Sequence, residues 1–293
     1  MRSLRLILKG GHGNQLFQFF AGLELSRSLN RELVIDTSWY QRAGNKNGLL
    51  SPRQFSLDQY EVLSNFQVDS ALMWKNSIQV ERVIKRLPHA ISQFLGFYPE
   101  LELKQKVKSV AQEIVTFGHW IDRPILPSKI EIRTLLANQG VANSIELKNL
   151  KREQSSFPVI SIHFRLGDYE NFKSVYEVIG LEYFSNALNK IEKSTDLKKA
   201  KIWLFSDEPK KAHDLISSLI SIDRVLDETT GLNEAETISL MSSSRAIICS
   251  NSTFSWWAGY LSEDITQVYF PKQYLRGVSV ESTGLYVKEW NYL

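Results

Sequence analysis

The sequence predicts an α/β protein of two domains, each built on a parallel sheet, with the two sheets facing a cleft. Three observations carry this expectation. The chain opens as strand, glycine turn, helix and strand, a βαβ unit whose crossover helix makes its strands parallel. From about residue 157 strand and helix patterns alternate again towards the end. The length of 293 residues also exceeds the roughly 100 to 200 that one domain usually holds.

In chain order, LRLIL (4–8) is the first strand and GGHG (10–13) the turn. NQLFQFFAGLELSRSL (14–29) sets Leu16, Phe20, Leu23 and Leu29 on one helical face, with Asn14 available as cap, and ELVID (32–36) is the second strand. Between about 40 and 150 the signals weaken: a loop AGNKNG (43–48), then helical stretches such as VERVIKRL (80–87), with Val80, Val83, Ile84 and Leu87 as a core face. A break at KREQSSFP (151–158) sets the expected boundary between domains 1–152 and 153–293. Beyond it FPVISIHF, AKIWLFSD, RAIICS and TQVYFP read as strands. YEVIGLEYFSNALNKIEK, PKKAHDLISSLI and STFSWWAGYL read as the helices between them.

Composition narrows the class. With 43% hydrophobic and 23% charged residues the chain is an ordinary soluble globular protein. Its net charge of +3 is spread along the chain without a Lys/Arg block, which argues against a nucleic-acid partner and is satisfied by a local anionic ligand. The single cysteine, Cys249, excludes an intrachain disulfide and favours a reducing compartment. The apolar run before the first glycines is too short for a signal peptide, and no stretch of about 18 apolar residues occurs. The expected location is cytoplasmic, with peripheral membrane contact left open.

Four places carry candidate chemistry. FPVISIHF ends in RLGD (165–168). Side chains alternate along a strand, so Val159, Ser161, His163 and Arg165 share one face. His163 and Arg165 therefore sit together at the carboxyl end, where open parallel sheets bind ligands. The donor fork of Arg165 matches phosphate, His163 adds a donor or acceptor, and Gly167 turns the chain past them. A solvated strand end with Arg165 paired to Asp168 is the plainer alternative. In CSNSTFSWWAGYL (249–261), Phe254, Trp257, Ala258 and Leu261 read as core, while Asn251, Ser252 and Thr253 precede the helix, where they can hold an anion or simply cap. In LFSDEP (204–209), Asp207 either starts a helix or accepts hydrogen bonds from a base or ribose.

GGHGNQ (10–15), with Asp36 ending the next strand, resembles the dinucleotide fingerprint short of its third glycine, where Leu16 stands. It leaves an NAD-dependent oxidoreductase as a reading from another class. Asn14 and Gln15 would look into the crevice. The chain has no D-x-D, zinc cluster, Walker A loop or G-x-S-x-G elbow. No metal is therefore expected, and positive charge at an anion site must come from Arg165, His163 and helix ends.

Together, and in this order, GGHGNQLFQF, IHFRLGDY, FSDEP and NSTFSWWAGYL resemble the motifs of the α-1,2-fucosyltransferase family, glycosyltransferase family 11, over roughly residues 5 to 275. The resemblance implies a GT-B-like arrangement of two Rossmann-like domains. It also implies inverting, metal-independent, cofactor-free transfer of L-fucose from GDP-fucose to O-2 of a galactoside-terminated glycan in O-antigen assembly. By this resemblance Arg165 contacts the donor phosphates with His163 as partner, Ser252 and Thr253 lie near the phosphates, and Asp207 contacts guanine. Gly11, Asn14 and Asn251 complete the expected donor site, and Asp168 is either the base or a brace for Arg165. Domain 1–152 falls on the acceptor side and 153–293 on the donor side. Three departures stand out: His12 where the family has Leu, Leu166 where a second Arg is common, and GHWID (118–122), loosely matching a G-Y-x-Q-S segment. A related donor such as GDP-colitose stays open, as does a nucleotide-sugar-binding module without transfer.

Overall fold

Two sheets, each all-parallel, form where strand and helix patterns alternate, one within Met1–Gln139 and one within Gly140–Leu293. The computed structural model describes residues 2–41, 53–70, 86–107, 111–121, 125–137, 144–167, 174–177, 179–193, 199–263 and 266–293. The AGNKNG loop, most of VERVIKRL and Asp168 lie outside the described residues.

The first unit contains β1 (Ser3–Ile7), α1 (His12–Leu29), β2 (Glu32–Asp36), β3 (Gln67–Asp69), α2 (His89–Phe94), β4 (Phe97–Pro99), β5 (Glu113–Phe117) and α3 (Lys129–Ala137). Its strand order is β3-β2-β1-β5-β4. α1 starts two residues before the expected position, and Gly11, not Asn14, occupies the N-cap. The helix is also buried well beyond the expected face: Gln15, Phe17, Gln18 and Phe19 are covered along with Leu16, Phe20 and Leu23. The reason is a second layer, the segment from Arg53 to Phe66. His12 places Nδ1 2.9 Å from Ser56 Oγ and Nε2 3.0 Å from Tyr60 Oη, and Phe19 packs edge-on against Phe66.

The sheet also encloses an ionic network. Arg5, in the middle of β1, reaches Asp36 at 3.3 Å, Asp69 at 2.8 Å and Glu113 at 2.9 Å, linking β1 to β2, β3 and β5.

The second unit contains α4 (Ile145–Gln154), β6 (Val159–Phe164), α5 (Leu181–Glu192), β7 (Lys201–Ser206), α6 (Pro209–Ile216), β8 (Arg224–Leu226), α7 (Glu234–Ser242), β9 (Ala246–Ile248), α8 (Thr253–Leu261), β10 (Gln267–Phe270) and β13 (Asn291–Tyr292). A short antiparallel pair, β11 (Gln273–Leu275) and β12 (Val278–Ser279), precedes β13. The large sheet runs β13-β10-β9-β6-β7-β8, so the chain starts in the middle, winds outward one way and returns to wind the other. This is the doubly wound order. Its direction reverses between β6 and β9, where the loops part and leave a crevice.

β6 is buried at all six positions. Ile160, Ile162 and Phe164 pack with Phe184, Ala187 and Ile191 of α5 and with Ala212 and Ile216 of α6. The buried positions of α5 repeat at 184, 187, 188 and 191, the spacing of one helical stripe. The opposite face of β6 carries Ser161 and His163.

Two expectations change here. The boundary falls at Gln139/Gly140, ahead of the expected 152/153, because α4 is tied to α7. The Ser144 N–H donates to Glu236 Oε1 at 2.8 Å, Lys151 Nζ to Ser239 Oγ at 2.7 Å, and Gln154 Nε2 to Ser244 Oγ at 2.9 Å. Glu236 simultaneously closes a capping box with Asn233 at the start of α7. The buried side of α8 is shifted from the face read from its spacing: Trp257 and Ala258 are covered but Phe254 and Leu261 are half-buried, while Ser255 and Trp256 are covered. Trp256 is covered and donates Nε1–H to the Leu285 carbonyl, and Trp290 lies over it with ring centroids 5.8 Å apart, so the carboxyl-terminal segment forms an outer layer.

Candidate active site

The carboxyl ends of β6, β7 and β9 assemble one polar cluster. β6 delivers His163 and, one residue past its end, Arg165. Arg165 Nη1 lies 3.1 Å from Asp207 Oδ2, just past β7, and Asp207 Oδ1 accepts the Leu166 N–H at 3.0 Å. Ser206 Oγ donates to the Phe164 carbonyl at 2.6 Å and accepts the Glu208 N–H at 3.0 Å, lacing the two strand ends. Gly167 makes room for the Asp207 carboxylate, which a Cβ there would force to shift. Asp207 is thus the brace of Arg165 that the described residues contain. The Arg165 side chain stays 16% exposed, enough to reach a ligand.

His163 is only 6% exposed. Its Nδ1 lies 2.8 Å from Ser250 Oγ, beyond β9, and its ring stacks on Phe254 of α8 with centroids 5.6 Å apart. This pair bridges the point where the sheet reverses. Burial pushes the His163 pKa down to about 4, Asp207 opposing and Arg165 assisting the fall. The ring is therefore neutral at neutral pH. The expectation that His163 supplies positive charge is corrected: among the described residues of this cluster, the formal cation is Arg165.

The turn after β9 sorts its candidates. Asn251 has no exposed surface, and its Nδ2 donates to the carbonyls of Glu177 at 2.9 Å and Tyr274 at 3.0 Å. Its amide nitrogen thus ties two loops together, while its Oδ1 is buried without a hydrogen-bond partner among the described residues. Ser252 caps α8, accepting the Phe254 N–H at 3.3 Å, and Thr253 is the first helical residue, half-buried. Ser250, which sequence reasoning did not single out, is the residue of this turn that touches His163. The signal was available only as a small polar residue ending an apolar run.

Within the first unit, Gly10 adopts φ +82° and folds against the Asn14 side chain, while Gly11 lies under Arg53, whose side-chain atoms would stand 3.8 to 3.9 Å from a Cβ there. Sequence reasoning missed Arg53, which no local pattern connects to the glycine turn. Gln15 is structural: Nε2 donates to the Gln54 carbonyl at 2.8 Å and Oε1 accepts the Ser56 N–H at 3.0 Å. Asp36 has no exposed surface and is paired with Arg5, so the oxidoreductase reading loses its ribose-binding acid. Trp120 of GHWID is buried, with Nε1–H donating to the Leu101 carbonyl.

Residues 132–293, more than half of the chain, match the model of glycosyl transferase family 11. The chain is 24% identical over 277 residues to the O-antigen biosynthesis glycosyltransferase WbnK of Escherichia coli, covering 87% of this chain and 89% of that one. It is 23% identical over 287 residues to an alpha-1,2-colitosyltransferase of Escherichia coli, covering 96% and 92%. Among solved structures, the fucosyltransferase NodZ from Bradyrhizobium aligns with a TM-score of 0.55 at 16% identity, over 89% of this chain and 93% of that one. NodZ alpha-1,6-fucosyltransferase co-crystallised with GDP gives 0.56 at 18% identity, over 89% and 92%. Likeness at that identity establishes the fold, which is GT-B-like.

Proposed function

The chain belongs to glycosyl transferase family 11, and from that premise we propose that it is an inverting, metal-independent fucosyltransferase moving L-fucose from GDP-fucose to O-2 of a galactoside. The acceptor in this reading is a galactoside-terminated glycan, free or lipid-linked, of an O-antigen or similar surface polysaccharide, met on the cytoplasmic side. Among the described residues no helix is long and apolar enough to cross a membrane, so contact with a lipid-linked acceptor would be peripheral.

The observation that carries the proposal is Arg165, a braced and partly exposed guanidinium at the carboxyl end of β6. The leaving group is a diphosphate, so the transition state gathers negative charge on GDP and oxocarbenium character on the sugar. A fixed cation aimed at that charge lowers the barrier, and removing one such group typically costs about 3 to 4 kcal/mol. Asp168, the next residue in sequence after Gly167, takes the acceptor proton or steadies Arg165 in this scheme.

Arg165→Ala is expected to lower turnover at least several hundredfold. Arg165→Lys restores part of it, because lysine keeps the charge without the planar fork. The assignment is tested by incubating the purified chain with GDP-fucose, EDTA and a panel of β-galactosides and looking for fucosylated product. Full activity of Arg165→Ala would remove the phosphate role.

A second reading, transfer of a related GDP-deoxysugar such as colitose, is favoured by the likeness to alpha-1,2-colitosyltransferase. Running both donors side by side separates the two. Absence of transfer from either donor sinks both.

A further inference from the structure

Ser250 has no exposed surface, and its Oγ makes one hydrogen bond among the described residues, the 2.8 Å contact with His163 Nδ1. Its carbonyl accepts the Ser255 hydroxyl at 3.1 Å and the Ser252 N–H at 2.7 Å, which holds the serine in place without using its side chain. A serine hydroxyl has a single proton to donate. If Nδ1 carried the imidazole proton and donated to Ser250, the hydroxyl proton of a fully buried side chain would have no acceptor. That arrangement carries the cost of an unmade buried hydrogen bond. If the hydroxyl donates to Nδ1, both groups are satisfied, and the imidazole proton must stand on Nε2.

Nε2 has no hydrogen-bond partner among the described residues, and Phe254 stacked on the ring fixes its plane. We infer that Ser250 is a positioning residue that locks His163 in the Nε2–H tautomer, so that the crevice offers its ligand an N–H donor beside the Arg165 guanidinium. Burial keeps this ring uncharged near neutral pH. The donor therefore selects for geometry where Arg165 selects for charge. The group it matches is an acceptor oxygen of a nucleoside diphosphate. The choice of ligand rests on the function proposed above; the tautomer does not.

The test is nitrogen NMR of the full chain carrying isotope-labelled histidine, with the His163 signals identified by their loss in His163→Gln. The expected spectrum near neutral pH shows a protonated Nε2 and a bare Nδ1. A protonated Nδ1 overturns the inference. In Ser250→Ala the ring loses its lock, and GDP binding by calorimetry is expected to weaken roughly tenfold, the scale of one neutral hydrogen bond. KM for the donor rises by a similar factor with kcat little changed, and Ser250→Thr recovers most of the loss.

Unchanged GDP affinity in folded Ser250→Ala also overturns the positioning role. Since the tautomer is read without ligand, the two readings fail separately. A wild-type chain that shows Nε2–H but does not bind GDP sinks the nucleotide ligand and leaves the tautomer standing. GDP binding with Nδ1–H sinks the role of Ser250 alone.

Discussion

Gly167 shows how a single residue identity follows from a site. Its missing Cβ admits the Asp207 carboxylate, which holds both the Leu166 backbone and the Arg165 guanidinium. Gly167→Ala must displace that carboxylate and release Arg165 from its brace. Hydrogen bonds to charged groups contribute about 1.5 to 3 kcal/mol, so kcat/KM is expected to fall about ten- to a hundredfold with little change in Tm. Wild-type kinetics in this variant would show that Arg165 needs no brace. The nearness of His163 to Arg165, which acts on the His163 ring electrostatically, was legible in the sequence, since the two stand two residues apart at a strand end. The neutrality of His163 was not, because it depends on burial by Phe254 and neighbours far along the chain.

At the scale of elements, β1 and its neighbours depend on Arg5. Burial alone would lower the Arg5 pKa, but hydrogen bonds and charge from Glu113, Asp69 and Asp36 outweigh it and raise the pKa well above the ordinary value. Arg5→Leu leaves Asp36 charged and without exposed surface, a change expected to cost about 3 to 5 kcal/mol in urea unfolding, with Asp36→Asn in the same chain recovering much of it. A loss below about 1 kcal/mol would mean the network relaxes to water. β6, β7, β9 and β10 matched their expected places because buried parallel strands are continuous apolar runs bounded by turns. The short strands β3, β4 and β8 did not announce themselves, being three residues each and dependent on neighbours already in place. α7 also escaped notice: it is capped and buried through contacts with α4 and α8 rather than by a strong local stripe.

At the scale of the whole molecule, each unit carries its own core and its own sheet, and the division follows the side-chain ties of α4 instead of the polar break at 151–158. Cys249 gives a probe of the second unit as a whole. It is fully buried, its Sγ–H donates to the Ser255 carbonyl at 3.4 Å, and burial pushes its thiol pKa far up. Alkylation of native protein is expected to wait for opening of this unit. GDP at about a hundred times its Kd should then slow the reaction roughly a hundredfold, since a ligand that binds only the folded state stabilises it by mass action. Rapid labelling that ignores GDP would place the opening outside the ligand-binding region.

The sequence by itself determined the α/β class, the alternation of elements in the second unit, the nearness of His163 and Arg165 at a strand end, and the motif set of family 11. These are properties of local periodicity and short spacing, which the chain carries wherever it folds. Only the tertiary structure decided that β9 lies beside β6, so that Ser250 meets His163, and that Asp207 braces Arg165. It alone showed that Asp36 is used up inside the protein, paired with Arg5. Strand order and burial bring together residues tens of positions apart, and the energy of a polar side chain depends on those partners more than on its neighbours in sequence.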